Sequence, residues 1–153
     1  MLKRFQKNAA VPYYYKDALY GLPVTQSFPM MFVRTDILKE ENIEIPRTWD
    51  ELLLTAKILA MNNMQVGLAE NAAGGTGYLA MFALQNGITF YNDNLTASNF
   101  STSSMQSVVK IWTDFYTKYN FPKTYSFYNR FKIGLIPIAI IDYTQYSTIS
   151  AAA

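Results

Sequence analysis

The side chains in this sequence that could do chemistry are carboxylates, lysines and tyrosines, because the 153 residues include no Cys and no His. This composition excludes thiolate zinc sites, disulfides, Cys nucleophiles and Ser-His-Asp triads. Two carboxylates flanking one cleft would suit glycoside hydrolysis, and Asp142 with Asp93 or Asp114 is the candidate pair. Asp114 lies in a helical pattern and Asp93 in a polar turn, however, so nothing in the sequence brings them together. The sequence therefore predicts no catalytic residue, no metal site and no cofactor.

The charges are few and scattered. Net charge is +2, from 13 basic and 11 acidic residues, and no basic stripe is present, so nucleic acid is not an expected partner. Half of the residues are hydrophobic and 16% are charged, which predicts a folded chain with one core over residues 1–153. Aromatic residues, 12 of them tyrosines, suit both a core and a wet binding cleft.

The two ends of the sequence indicate a piece of a longer protein. Residues 1–7 are basic but lack an apolar stretch behind them, so no signal peptide is predicted. The apolar run 133–141 is too short to span a bilayer and contains Gly134 and Pro137. Residues 150–153 have the composition of a helix interior without a cap.

Short strands alternate with helices along the chain, which predicts an α/β fold. The Tyr13-Tyr14-Tyr15 run indicates one arm of a hairpin, and 30–33 indicates a short strand of the buried type. Thr48 and Glu51 have the spacing of a capping box, which predicts a helix that ends at Asn62 and has one apolar face, formed by Leu52, Leu53, Ala56, Leu59 and Ala60. Further segments follow: a strand at 66–69, helices at 78–85, 105–119 and 126–132, a strand at 135–141 and a closing helix at 143–153.

Six segments resemble motifs of extracellular solute-binding protein family 1, the maltose-binding-protein-like receptors of ABC importers. They are YGLP at 20–23, FVRTDIL at 32–38, PRTWDEL at 46–52, ALQNG at 83–87, WTDFYTKY at 112–119 and FKIGLIPIAI at 131–140. Their order along the chain is that of the family. At Arg34 and Thr35 the sequence departs from the Asn-Lys that is frequent in the family.

The resemblance implies that the chain is the second lobe of a two-lobed protein, a mixed sheet flanked by helices. Such receptors are not enzymes. They bind a sugar, an oligosaccharide or another small solute in the cleft between the lobes, close by hinge rotation and deliver it to ABC permease subunits. The parent protein would then be extracellular, periplasmic or membrane-anchored as a lipoprotein, and its first lobe would be a partner of this one.

In this fold the cleft is lined by loops at the strand ends that face the other lobe, and three segments qualify. The first holds Gln26, Ser27 and Phe28, just before a strand. The resemblance implies polar contacts with sugar hydroxyls there, which the Gln26 amide could provide. The alternative is a polar hinge segment that satisfies its own backbone.

The second segment holds Gly75, Thr76 and Tyr78 at the start of a helix. Glycines let the backbone approach a ligand, and the helix N-terminus offers free N–H groups. No Lys-Ser/Thr pair follows, so a phosphate cradle is not predicted. A plain flexible loop is the alternative for the glycines, and a core position is the alternative for Tyr78.

The third segment holds Asp142, Tyr143 and Tyr146, directly after the last strand. The resemblance implies a stacking aromatic at this point, often in a Gly-Pro-Trp setting. Here Asp142-Tyr143-Thr144 stands in its place, so Tyr143 is the expected sugar-stacking ring. Trp49 and Trp112 have apolar neighbours at helical spacing, which predicts core positions for both.

Two alternatives to a binding lobe stay open at this point. An isolated lobe offers half a cleft, so it would lose most of its affinity and be a structural unit without binding of its own. Its exposed cleft wall and hinge strands would also allow pairing with a second copy, as a homodimer.

Overall fold

The computed structural model describes residues 8–24, 28–68 and 77–150. Six helices and five strands are assigned in this part of the chain. The strands are β1 (Tyr14–Tyr15), β2 (Ala18–Leu19), β3 (Pro29–Val33), β4 (Val66–Gly67) and β5 (Ile138–Asp142). The helices are α1 (Thr35–Glu40), α2 (Trp49–Met61), α3 (Gly77–Gln85), α4 (Ser103–Thr117), α5 (Phe127–Lys132) and α6 (Tyr146–Ser150).

The helices begin and end where local sequence signals place them. The predicted capping box at α2 is confirmed: the Thr48 hydroxyl accepts from the Glu51 backbone N–H at 3.2 Å, and the Glu51 carboxylate accepts from the Thr48 N–H at 3.3 Å. The Thr102 side chain caps α4 in a similar way. Residues with positive φ follow the helix ends, as left-handed stop positions: Asn42, Asn63, Gly87, Asn120 and Gly134.

The main sheet has the strand order β3-β5-β4, with β5 in the centre. β3 pairs with β5 antiparallel, from Pro29 opposite Asp142 to Val33 opposite Ile138. β4 pairs with β5 in parallel, with Val66 opposite Ile138. A mixed sheet flanked by helices confirms the predicted α/β fold class. The separate β1–β2 hairpin confirms the predicted role of the tyrosine run.

Each face of the sheet covers its own hydrophobic cluster. Because side chains alternate along a strand, Ile138 and Ile140 of β5 lie in the larger cluster, together with α2, α3 and α4. Ala139 lies in the smaller cluster, with Phe127 and Phe131 of α5. The central strand therefore holds the two layers together.

Two sequence predictions about burial are wrong. The 30–33 segment was predicted to be a buried strand, but β3 lies at a sheet edge, and Met30 and Met31 are 41% and 36% exposed. On α2, Ala60 was predicted on the apolar face but is exposed, whereas Thr55 is buried at 5% exposure. Apolar residue type alone did not show how many neighbouring strands or helices cover each position.

Arg34 joins the start of α1 to the end of α5. Its guanidinium donates to the backbone carbonyls of Phe131 and Lys132 at 3.0 and 2.8 Å, and to the Asp36 carboxylate at 2.9 and 2.5 Å. The last carbonyls of a helix lack intrahelical donors, so Arg34 satisfies two of them. This contact gives a structural role to the arginine that departs from the family motif. No described helix has the length and apolar composition needed to cross a membrane.

Candidate functional site

Described residues that are next to the three predicted ligand-binding segments in the chain lie at one end of the main sheet. β4 and β5 run parallel, so Leu68 and Asp142 leave the sheet on the same side. β3 runs antiparallel to β5, so its first residue, Pro29, lies opposite Asp142. Loops at the carboxyl ends of parallel strands are where α/β proteins place ligand sites. The described residues next to the three segments therefore lie at the same end of the sheet: Pro29, Leu68 and Asp142.

Three aromatic rings form a continuous stack at this end of the sheet. The rings of Phe28 and Tyr143 lie with centroids 5.1 Å apart and planes 6° from parallel. The Tyr143 and Tyr146 rings follow at 6.0 Å and 12°. Exposure of the three residues is 49%, 41% and 55%. We call these three residues the aromatic platform.

Backbone pairing fixes the platform in place. The Tyr143 N–H donates to the Phe28 carbonyl at 2.9 Å, one residue beyond the β3–β5 ladder. Directly opposed residues of an antiparallel pair project to the same face, so the two rings meet. A 3₁₀ turn over Tyr143–Gln145 then leads into α6 and brings Tyr146 onto the next position of the stack.

Asp142 is held at the base of the platform. One of its carboxylate oxygens accepts from the Thr144 backbone N–H at 2.8 Å and from the Thr144 hydroxyl at 2.5 Å. These bonds orient the carboxylate at the start of the 3₁₀ turn. The sequence placed Asp142 and Tyr143 in one segment, but it gave no sign that Phe28, more than a hundred residues earlier, would complete the stack.

Tyr78 does not belong to the exposed surface. It is 1% exposed and lies in the larger hydrophobic cluster with Phe82. Burial, and then the neighbouring Asp142 carboxylate, raise the pKa of its phenol. A ring this deeply buried offers no face to a sugar, so its inclusion among the ligand-binding residues is corrected in favour of the core alternative. Gln26, Ser27, Gly75 and Thr76 lie outside the described residues, and their roles stay predictions.

The core prediction for both tryptophans is confirmed. Trp112 is 8% exposed, and Trp49 stacks on Phe115 at 5.4 Å and contacts Phe82 edge-on at 5.0 Å. The Trp49 indole N–H donates to the Gln85 side-chain oxygen at 2.8 Å. Trp112 thus lies in the larger hydrophobic cluster, and Trp49 packs against it. No three acidic side chains of the described residues gather in a way that would hold a metal ion.

Sequence reasoning missed Tyr125. Its hydroxyl is buried next to Gly67 at the end of β4, and it has no hydrogen-bond partner among the described residues. Burial raises the pKa of this phenol strongly. The Tyr116 hydroxyl, by contrast, donates to the Leu68 carbonyl at 3.0 Å. Nothing in the sequence around Tyr125 distinguishes it from an ordinary loop tyrosine.

The sequence matches the profile of the bacterial extracellular solute-binding proteins over residues 2–149. No curated protein matches the chain by sequence. The match spans nearly the whole chain, and it includes all three residues of the platform.

Several solved structures share the fold. An ABC substrate-binding protein of Listeria monocytogenes in complex with cycloalternan has a TM-score of 0.80 and 19% identity, covering 96% of this chain and 40% of its own. A solute-binding protein of Thermotoga lettingae bound with α-D-tagatose has a TM-score of 0.77 and 23% identity, with 98% and 42% covered. UgpB of Mycobacterium tuberculosis in complex with glycerophosphocholine has a TM-score of 0.79 and 13% identity, with 99% and 41% covered. The chain thus spans about two fifths of the length of each.

Proposed function

We propose that this chain, which belongs to the bacterial extracellular solute-binding proteins, is one lobe of a receptor that binds a carbohydrate between two lobes and delivers it to an ABC importer. The observation that carries the proposal is the exposed aromatic platform at the end of the main sheet. Clusters of exposed aromatic rings at the rim of a fold are typical of binding surfaces.

The platform suits a sugar in two respects. The C–H face of a pyranose is apolar, and the exposed parts of the three rings offer it an apolar surface from which water is released on binding. The Asp142 carboxylate is held beside the rings and would accept hydrogen bonds from sugar hydroxyls. Gln26 and Ser27 directly precede Phe28, and Gly75 with Thr76 directly precede α3. We propose that their predicted polar contacts come from the same end of the sheet as the platform.

The isolated lobe is expected to bind weakly. The similar structures are about two and a half times as long as this chain, and a cleft needs both walls to exclude water from its ligand. We therefore propose that strong binding belongs to the parent protein, with the first lobe supplying the opposite wall. Closure about the hinge would then present the bound form to the permease.

We propose a receptor rather than an enzyme. The Asp114 carboxylate accepts from Lys118 at 2.7 Å and from Lys110 at 3.2 Å, and these contacts, that of Lys118 first, lower its pKa. A general acid for glycoside cleavage needs a raised pKa instead. Asp114 is thus a poor partner for Asp142 in hydrolysis, and solute binding without chemistry is the simpler function for a member of this family.

The proposed location of the parent is outside the cytoplasmic membrane, in the periplasm or anchored to the cell surface. That position follows from the family and from delivery to a permease. We also propose that the isolated lobe pairs with a second copy through its exposed cleft wall and hinge strands.

A thermal-shift screen tests the receptor proposal. The parent protein and this chain are each melted with monosaccharides, oligosaccharides and, as a non-sugar comparison, glycerophosphocholine. Ligand that binds the folded state raises the Tm by mass action. We expect one sugar class to raise the Tm of the parent and to leave that of the lobe nearly unchanged. If no sugar shifts the parent while glycerophosphocholine does, the carbohydrate assignment is wrong within the same family.

A further inference from the structure

The end of helix α3 holds the only Asn-Gly pair in the sequence, at Asn86 and Gly87. Asparagine loses its side-chain amide most readily when glycine follows it, because glycine has no Cβ to hinder attack by its backbone nitrogen. Both residues are exposed to solvent, so water reaches them. A Cβ built at Gly87 would meet no atom within 4 Å, so the space around the glycine is open as well. The pair thus has the composition and the access that this reaction needs.

The backbone around this pair forms a Schellman motif, which ends α3. The Ile88 N–H donates to the Ala83 carbonyl at 2.9 Å, and the Gly87 N–H donates to the Leu84 carbonyl at 3.0 Å. Gly87 has a φ of +73°, in the left-handed region that the motif requires at this position. Ile88 packs against the larger hydrophobic cluster. The stop after α3 is therefore held by backbone hydrogen bonds and by an apolar contact.

Both groups that react in deamidation are hydrogen-bonded in this motif. The nucleophile is the Gly87 nitrogen, whose N–H is bound to the Leu84 carbonyl. The leaving group is the Asn86 side-chain amide, whose Nδ2 donates to the Phe82 carbonyl at 2.8 Å. Ring closure requires the Gly87 nitrogen to turn toward the Asn86 Cγ, which breaks its bond to Leu84. The folded end of α3 therefore holds the pair in an unreactive arrangement.

We infer that Asn86 is a deamidation site that reacts only when the end of α3 opens locally. In the open form, base removes the proton from the Gly87 nitrogen, and this nitrogen attacks the Asn86 Cγ. The new C–N bond closes a five-membered succinimide, and the side-chain amide leaves as ammonia. Water then adds to either carbonyl of the succinimide, and the C–N bond to that carbonyl breaks. The product is aspartate or isoaspartate, so the net change is uptake of a water molecule and release of ammonia.

The reaction is irreversible, and it weakens the end of the helix. The new carboxylate has no N–H to donate to the Phe82 carbonyl, and its negative charge lies at the negative end of the α3 dipole. It also lowers the net charge of +2 by one unit. The adjacent Gln85 side chain accepts from the Trp49 indole N–H at 2.8 Å, which joins this end of α3 to α2. A modified chain should therefore open more readily between α2 and α3.

Mass spectrometry measures the reaction in the folded chain and in the guanidinium-unfolded chain at the same pH and temperature. Fragmentation of the peptides assigns the modified residue, and ion exchange separates the modified chains by charge. We expect Asn86 to react about tenfold or more slowly in the folded chain, since only the open fraction reacts. Asn94 is the internal control, because it is exposed but is followed by the bulky Leu95. In the unfolded chain it should react more slowly than Asn86.

Variants at the contact with α2 test whether the opening is local. Trp49→Phe removes the N–H that donates to Gln85, and Gln85→Met removes the acceptor. Each should raise the ratio of the folded to the unfolded rate at Asn86 about threefold or more. Phe131→Leu is the matched control, because Phe131 is buried in the smaller cluster, and it should leave this ratio nearly unchanged. Urea unfolding checks that Phe131→Leu loses at least as much stability as Trp49→Phe.

Three results would overturn the inference. The first is an equal rate at Asn86 in the folded and the unfolded chain, which would mean that the Schellman motif gives no protection. The second is an Asn94 that reacts as fast as Asn86 in the unfolded chain, which would mean that the glycine does not direct the reaction. The third is an acceleration by Phe131→Leu as large as that by Trp49→Phe, which would assign the reaction to global unfolding.

Discussion

The hydroxyl of Tyr125 lies directly over the backbone of Gly67. A Cβ built at position 67 would be 2.6 Å from that oxygen and 2.8 Å from a methyl carbon of Ile136. Contacts this short do not occur in folded proteins, so a side chain at the last residue of β4 would force Tyr125 or Ile136 to shift. The close approach explains why a glycine ends the strand that leads to one of the predicted ligand-binding segments.

Gly67→Ala should therefore destabilise the fold. We expect the free energy of unfolding to fall by about 1–3 kcal/mol, the usual cost of overpacking a core, with a lower midpoint in urea. Because the nearest atom is the Tyr125 oxygen, the loss should be smaller when Gly67→Ala is made in a Tyr125→Phe background. Equal losses in both backgrounds would mean that the two residues are not coupled and would contradict the contact.

Tyr125→Phe by itself should stabilise the protein. The variant removes a buried hydroxyl that has no hydrogen-bond partner in the described part of the chain, and we expect a gain of about 1 kcal/mol in the free energy of unfolding. Tyr116→Phe is the matched comparison, since its hydroxyl donates to the Leu68 carbonyl and its removal should cost about 1 kcal/mol. Thermal and urea unfolding measure both. A loss at position 125 as large as that at position 116 would show that a bound water satisfies the Tyr125 hydroxyl.

The ion pair between Arg34 and Asp36 should contribute to the pH dependence of stability at acid pH. The hydrogen bond from Arg34 is the main cause that lowers the pKa of Asp36 from 3.8 to about 2. A carboxyl whose pKa is lower in the folded state contributes stability above its unfolded pKa, and that contribution is lost as pH falls through the folded pKa. The contribution should thus be complete above about pH 4 and disappear toward pH 2. Because Asp36 is exposed, solvent screening keeps it small.

Carboxyl NMR of Asp36 measures this pKa directly. In an Arg34→Gln variant we expect it to rise toward 3.8, because the hydrogen bonds and the charge of the guanidinium are lost. The same variant should also loosen the end of α5, seen as faster amide exchange at Ile133 and Gly134. If the pKa of Asp36 is unchanged in Arg34→Gln, its low value comes instead from the backbone N–H groups at the start of α1.

Substitutions in the aromatic platform should weaken ligand binding without unfolding the lobe. Tyr143→Ala in the parent protein is expected to lower affinity for the bound sugar by about tenfold or more, about 1.4 kcal/mol, because the central ring of the stack is lost. Tyr91→Ala is the control, since Tyr91 is 55% exposed and lies outside the platform. Calorimetric titration compares the two. Equal affinities for Tyr143→Ala and Tyr91→Ala would remove the platform from the binding site.

Local signals predicted much of the fold. The Thr48–Glu51 capping box, the stop at Asn62 and the amphipathic pattern of α4 each depend on residues within one or two turns. Such signals are readable from sequence because the interactions that they report are short in range. The alternation of strands and helices then sufficed for the fold class.

Interactions between distant segments were not predictable in the same way. The stacking of Phe28 on Tyr143, the burial of Tyr78 and the contacts of Arg34 with the end of α5 all depend on which strands become neighbours. A short continuous apolar run does not show whether a strand is central or at an edge, so the exposure of Met30 and Met31 was missed. The departure at Arg34 became interpretable only when its carbonyl partners were known.

The central position of β5 has a consequence for how the chain folds. Pro29 pairs with Asp142, and Val66 pairs with Ile138, so each outer strand depends on a strand that follows it much later in the chain. Among the described residues, β5 is the sheet partner of both β3 and β4, so these pairings wait for β5, which implies a high contact order and slow folding. During synthesis, the methionines and aromatic residues of the earlier segments would stay exposed until β5 emerges from the ribosome. This delay would leave the residues between β3 and β5 open to chaperones until then.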